Sequence, residues 1–209
     1  MQIMVEIGEW KAELKRHRYL ILVSILFLIV ALLLNNAAGD YTNRAEVSSV
    51  PDFILDHLPA VDLSFLFIWG YAFVIAAIFF YPLLFRVRMF HIAISQFSLL
   101  VLIRSFFVSL THLALPANAI FIETPKIFNF LVFPNALFFS GHTAIPFLGF
   151  LLFRKEKIGI LFLIFTFVMA ATVLLMHVHY SIDVFAAFFI TYGSYKLGEW
   201  FFKRFNGKE

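Results

Sequence analysis

Residues 158–176 read Ile158-Gly159-Ile160-Leu161-Phe162-Leu163-Ile164-Phe165-Thr166-Phe167-Val168-Met169-Ala170-Ala171-Thr172-Val173-Leu174-Leu175-Met176, a run without one charged side chain. A helix needs about 20 apolar residues to cross the hydrocarbon of a bilayer, and this run supplies them. The uncharged stretch Leu63–Phe85 does the same. Working outward from these two, apolar segments recur at roughly 19–34, 91–111, 134–153 and 182–202, so the pattern predicts six transmembrane helices. Three are weaker: 19–34 is short, 134–153 carries Pro134, His142 and Pro146, and 182–202 contains Lys196, whose stem can snorkel to the headgroups. Composition agrees, since 62% of the 209 residues are hydrophobic and only 14% are charged, against about 25% charged in a soluble domain. The expected fold class is therefore all-α, a polytopic six-helix membrane bundle over 19–202, preceded by an amphipathic segment 1–18 and followed by a tail 203–209. The absence of cysteine excludes disulfides, thiolate metal sites and a thiol nucleophile. The net charge of +3 is no nucleic-acid signature, because Lys and Arg fall in short clusters between the apolar runs.

Those clusters set the expected orientation. Threading the spans alternately puts Lys11, Lys15, Arg16, Arg18, Arg86, Arg88, Arg154, Lys155, Lys157, Lys196, Lys203, Arg204 and Lys208 on one side and only Arg44 and Lys126 on the other. Positive charge collects on the cytoplasmic side, so both termini are expected there. A cleaved leader is not expected: Glu6, Glu9 and Glu13 precede the first apolar run, and Asn36 spoils the small-x-small pattern before Gly39. Ile3, Ile7, Trp10 and Leu14 recur at helical spacing, as in a helix lying on the inner surface, though a packed or disordered tail fits equally.

Threading also carries His57, His112, His142, His177 and His179 to the outer face, together with Asp40, Asp52, Asp56, Asp62, Glu123 and Asp183. Two clusters there have internal logic. In Phe139-Ser140-Gly141-His142-Thr143 the serine can cap a helix, the glycine admits close backbone approach, and the first-turn amides offer an anion site beside His142. The same residues also read as an ordinary helix start. In His177-Val178-His179-Tyr180-Ser181-Ile182-Asp183, His179 and Asp183 are four apart and share a helical face. Such a carboxylate fixes the imidazole tautomer and leaves the other ring nitrogen basic. The alternative is an Asp that caps its own backbone. Arg104, about two turns inside the third span, needs a partner: a phosphate held bidentately or an outer carboxylate.

Taken together, these residues resemble the sphingomyelin synthase branch of the type 2 phosphatidic acid phosphatase superfamily. Val50-Pro51-Asp52-Phe53-Ile54-Leu55-Asp56-His57 is similar to the Pro-Asp block before its second span, and Arg104 with Thr111 and Pro116 resembles its third-span block. Phe139-Ser140-Gly141-His142-Thr143 is similar to Phe-Ser-Gly-His-Thr, and His179-Tyr180-Ser181-Ile182-Asp183-Val184 to His-Tyr-Thr-x-Asp-Val. The resemblance implies a catalytic triad of His142, His179 and Asp183 in six helices, no metal or other cofactor, and a site opening to the exoplasmic side. Arg104, Ser140, Gly141 and Thr143 then form the expected phosphate-binding set. Two departures stand out. Thr172-Val173 replaces the Ser-Arg of the wider phosphatase superfamily, which favours the synthase branch, and Asn135-Ala136-Leu137 stands where the synthases carry an acidic residue.

The expected function is transfer of a phospho-headgroup from a phospholipid to a lipid hydroxyl of ceramide or diacylglycerol type, through a phosphohistidine. With water as acceptor the same site is a lipid phosphatase or phospholipase C. A catalytically inactive lipid-binding protein is the alternative of another class. Metal or haem ligation is disfavoured, because His177 and His179 are two apart and no histidine pair four apart lies in one span.

Overall fold

The computed structural model describes residues 7–120 and 135–202. Its helices are α1 (Ile7–Arg44), α2 (Tyr71–Phe85), α3 (Val87–Leu110), α4 (Gly141–Phe153), α5 (Lys157–Leu175) and α6 (Ser181–Phe202). A single π-helical turn, Leu66–Gly70, leads into α2, and a short 3-10 turn, Leu55–His57, lies in the preceding connection. The described residues form no strand beyond an isolated bridge between Ser48 and Leu113.

Four of these elements, α1, α2 with its π turn, α3 and α5, are long and apolar enough to cross a membrane. Their outward side chains agree: Leu22, Val23 and Leu33 of α1, Phe73 of α2, Phe106 of α3 and Phe167 of α5 are each at least half exposed. So extensive an apolar surface is stable against hydrocarbon and not against water. α6 has 22 residues but carries Asp183, Lys196 and Glu199. α4 is shorter than the segment 134–153 led one to expect. It has 13 residues, about 20 Å at 1.5 Å per residue, and the described chain before it, 135–140, is not helical. The reason lies in that chain's carbonyls: Arg104 takes those of Ala136 and Phe139, so a side chain satisfies groups that a helix would otherwise have paired. At the other extreme, no break separates the expected surface segment from the first span, since Ile7–Arg44 is one helix. Residues 1–6, the tail 203–209 and Glu123 with Lys126 lie outside the described residues.

The core gathers Ile78 of α2, Leu100 of α3, Leu148 of α4 and Ala187 of α6, with Phe139 closing one end. α4 lies against α5 closely enough that a Cβ on Gly149 would meet the Phe162 ring at 2.4 Å. Two sets of contacts define the ends of the bundle. At one, Arg86 pairs with Glu156 at 3.0 Å and Arg88 with Glu13 at 2.9 Å. At the other, backbone bonds join Ala114 to Ser48, Val61 to Leu175, Ile120 to Met176 and Ser140 to Asp183. The histidine clusters belong to this second end.

Candidate active site

The turn into α6 is fixed first by its own backbone. α5 stops with His177 N–H bonding Leu174 O at 3.0 Å and Val178 N–H bonding Val173 O at 3.1 Å, the paired bonds of a Schellman ending. That ending places the residue after the cap in the left-handed region, and here the residue is His177, at φ 53°. The chain then reverses and α6 begins at Ser181, with Asp183 in its first turn. Asp183 is fully buried, and its Oδ2 does two things: it accepts the Tyr180 amide at 3.0 Å and faces His179 Nδ1 at 3.3 Å. The capping role and the histidine-orienting role were alternatives in the sequence; one oxygen holds both. With Nδ1 turned to the carboxylate, the Nε2 of His179 is the nitrogen left for chemistry.

The second histidine arrives on the first turn of α4. Ser140, extended at φ −61° and ψ 113°, caps the helix by accepting the Thr143 amide at 3.4 Å, and Thr143 Oγ1 donates to the same oxygen at 3.3 Å. Ser140 N–H reaches across to Asp183 O at 3.1 Å, so the two motif segments are bonded directly. The rings of His142 and His179 then stand 6.4 Å apart, centre to centre. Since Ser140 Oγ already takes the Thr143 amide, Gly141 and His142 carry the first-turn amides that remain for an anion.

Arg104 completes the group. Its Nε donates to Phe139 O at 3.0 Å and its Nη2 to Ala136 O, so its partner is the backbone leading into α4 and not an outer carboxylate. A Cβ on Gly141 would lie 3.5 Å from Arg104 Nε and 3.3 Å from the hydroxyl of Tyr71. A side chain there would press on the Tyr71 hydroxyl. His142, His179, Asp183, Arg104, Ser140, Gly141 and Thr143 are thus brought to one place.

Neither a protein-family model nor a curated protein sequence matches this chain. His57 bonds the carbonyl of Phe53 in its own turn, and His112 meets Tyr41 edge-on, so neither joins the group. His177, 2% exposed, lines a cavity of about 350 Å³ with Asp52, Asp56 and Asn118, and its Nε2 has no partner among the described residues. Sequence reasoning placed Asp52 in the resembling block without its contacts, and it missed Phe67 and Tyr71. Asp52 accepts the Ser181 amide at 2.7 Å through Oδ2 and those of Ile54 and Leu55 through Oδ1, strapping the 50–55 segment onto the start of α6. Burial pushes the Asp52 carboxyl up, but these amides more than offset it and hold it below the ordinary carboxylate range. Phe67 and Tyr71 each stack on His142, with ring centres 3.9 Å away. A Phe and a Tyr four apart in an apolar helix carry no signal that distinguishes them from ordinary packing residues.

Proposed function

We propose that this chain is an integral-membrane lipid phosphotransferase of the sphingomyelin synthase-like type, with six membrane crossings and its site on the exoplasmic side. The observation that carries the reading is the His179–Asp183 bond, 3.3 Å, facing a second imidazole 6.4 Å away beside a capped helix start.

In this reading His179 Nε2 attacks the phosphorus of a phospholipid donor. The P–O bond to the lipid breaks, and His142 gives its proton to the departing alkoxide. Asp183 stabilises the positive charge that develops on the His179 ring. The phosphoryl oxygens lie towards the Gly141 and His142 amides, with Arg104 nearby holding the backbone that presents them. In the second half His142 takes the proton of an incoming hydroxyl, that oxygen bonds phosphorus, and the P–N bond to His179 breaks. A lipid hydroxyl gives transfer; water gives hydrolysis.

The test is a separation of products after incubating detergent-purified protein with labelled phosphatidylcholine, phosphatidylethanolamine or phosphatidic acid, with and without ceramide or diacylglycerol. New phospholipid that depends on the acceptor is the expected result. Release of water-soluble phosphate or phospho-headgroup irrespective of acceptor converts the reading to hydrolase. No product from any donor, in protein that melts cooperatively, removes the catalytic reading and leaves lipid binding.

A further inference from the structure

We infer that Tyr71 is a further residue of the phosphoryl site, its hydroxyl a hydrogen-bond donor to a non-bridging phosphoryl oxygen. The inference rests on the phosphoryl-transfer reading above and adds to it a ligand on an element outside both histidine motifs.

Phe67 lies within the π-helical turn Leu66–Gly70, which widens the helix by one residue, and Tyr71 directly follows it. Both rings stack on His142 with centres 3.9 Å away, at interplanar angles of 24° and 27°. Stacking does not require a phenol, as Phe67 shows. The hydroxyl of Tyr71 is therefore the part of the side chain with no task in holding the imidazole. It makes no hydrogen bond with any of the described residues, whereas a phenol inside a protein ordinarily finds a partner. Its position is specific. The Cβ that Gly141 lacks would stand 3.3 Å from this oxygen and 3.5 Å from Arg104 Nε, so phenol, guanidinium and the first amide of α4 surround one point. The Arg104 Nε hydrogen is spent on Phe139 O, so the phenol and the amide are the donors left at that point, and the guanidinium contributes its charge beside His142. Charge grows on the non-bridging oxygens as phosphorus is attacked, and a neutral O–H donor already in place stabilises it without reorganisation.

Tyr71→Phe keeps the stacked ring and deletes the donor. Three measurements on detergent-purified protein decide the matter: the unliganded melting temperature, the orthovanadate concentration that half-protects against melting, and the rate of phosphoenzyme formation. The expected result is an unchanged melting temperature, half-protection at about tenfold or more higher vanadate, and phosphoenzyme forming about 10- to 100-fold slower. The slowing should be the same for a phospholipid donor and for a donor with an aryl leaving group. A residue acting only through the position of His142 would spare the aryl donor, which needs no proton from that histidine. Gly141→Ala, whose Cβ would press on the hydroxyl, should weaken vanadate in the same sense. Vanadate protection within twofold of wild type in both variants overturns the inference, as does slowing confined to the lipid donor. Should the wild type turn over no donor, the transfer reading fails separately. Vanadate then still judges Tyr71: weaker protection in the Phe variant upholds the contact, and equal or absent protection in both proteins removes it.

Discussion

His179 and His142 differ in what surrounds them, and the proposed mechanism gives them different work. His179 is 6% exposed and bonded to a carboxylate through Nδ1; His142 has no acidic partner among the described residues and is held by two aromatic faces. In the proposed mechanism the first forms the bond to phosphorus through Nε2 and the second passes a proton. His179→Ala should therefore abolish turnover of every substrate, with no acid-labile phosphoenzyme in rapid-quench samples. His142→Ala should still form that intermediate from an aryl donor while losing it from the lipid, and should resolve it slowly. Labelling of His179→Ala but not His142→Ala would exchange the roles, and no labelling of any protein would end the covalent mechanism. The closeness of residues 179 and 183 was legible from their spacing, but not its form: His179 precedes α6 and meets Asp183 across the turn that starts the helix, not along a helical face. The partners of His142 were not legible, since Phe67 and Tyr71 reach it only through tertiary packing. His177 was legible as a residue but not as a conformation. Its φ of 53° follows from where α5 stops, and a side chain in that region costs roughly 1–2 kcal/mol that glycine does not incur. His177→Gly should accordingly be more stable than His177→Ala by about 1 kcal/mol, both lacking the ring. Equal unfolding midpoints for the two would deny the strain.

Among the elements, α2 taken with its π turn, α3, α5 and α6 begin and end within a few residues of their apolar runs, because a long apolar segment has little choice of backbone once water is excluded. The start of α4 was misjudged for a reason of the same kind. Pro134 through Ser140 reads as apolar span, but Arg104 comes from α3 to take the carbonyls of Ala136 and Phe139, which lets the chain over 135–140 remain non-helical until Ser140 caps the helix. No local pattern announces a donor lying more than thirty positions away. The Asp52 strap has the same character: Pro51-Asp52 marks a turn, but that its free oxygen receives Ser181 N–H at 2.7 Å is a tertiary fact. It has a measurable consequence. Asp52 is held below its ordinary range, so the ionised strap contributes stability above the unfolded carboxylate value, about pH 3.9. That contribution is lost as pH falls through the lower, folded value. Asp52→Asn keeps the shape without the charge. Thermal melts of the two proteins should differ most near pH 6, and the gap should close as pH falls below about 4. A gap that stays constant down to pH 3 would show that the carboxylate charge is not what fastens this segment to α6.

Over the whole molecule, the open question is whether its two ends lie on opposite sides of a membrane. The helices alternate between the ends: Arg86 and Arg88 at the α2–α3 turn pair with Glu156 and Glu13, while Ser48, Ala114, Ser140 and Asp183 meet at the other end. Basic residues follow the first set, with Lys11, Lys15, Arg16, Arg18, Arg154, Lys155 and Lys157 beside those same turns. By that asymmetry the ion-paired end is expected in the cytoplasm and the histidines outside. The weak point is α4, whose 13 residues cover only about 20 Å of a hydrocarbon layer near 30 Å thick. Its ends nevertheless belong to different sets, since Ser140 bonds Asp183 and the turn after Phe153 contains Glu156. The non-helical chain at 135–140, with Ala136, Leu137, Phe139 and Ser140 buried, supplies further reach. Glu46 and Lys155, both exposed, are thus separated by α2, α3 and α4, three crossings, and should face opposite sides. Because the chain has no cysteine, Glu46→Cys and Lys155→Cys each give a single reporter without further change. On sealed cells an impermeant maleimide should label position 46 and should label 155 only after permeabilisation. Labelling of 155 alone inverts the orientation and turns the histidines to the cytoplasm. Labelling of both, or of neither, means that α4 returns to the side from which it entered, and the count of six crossings falls.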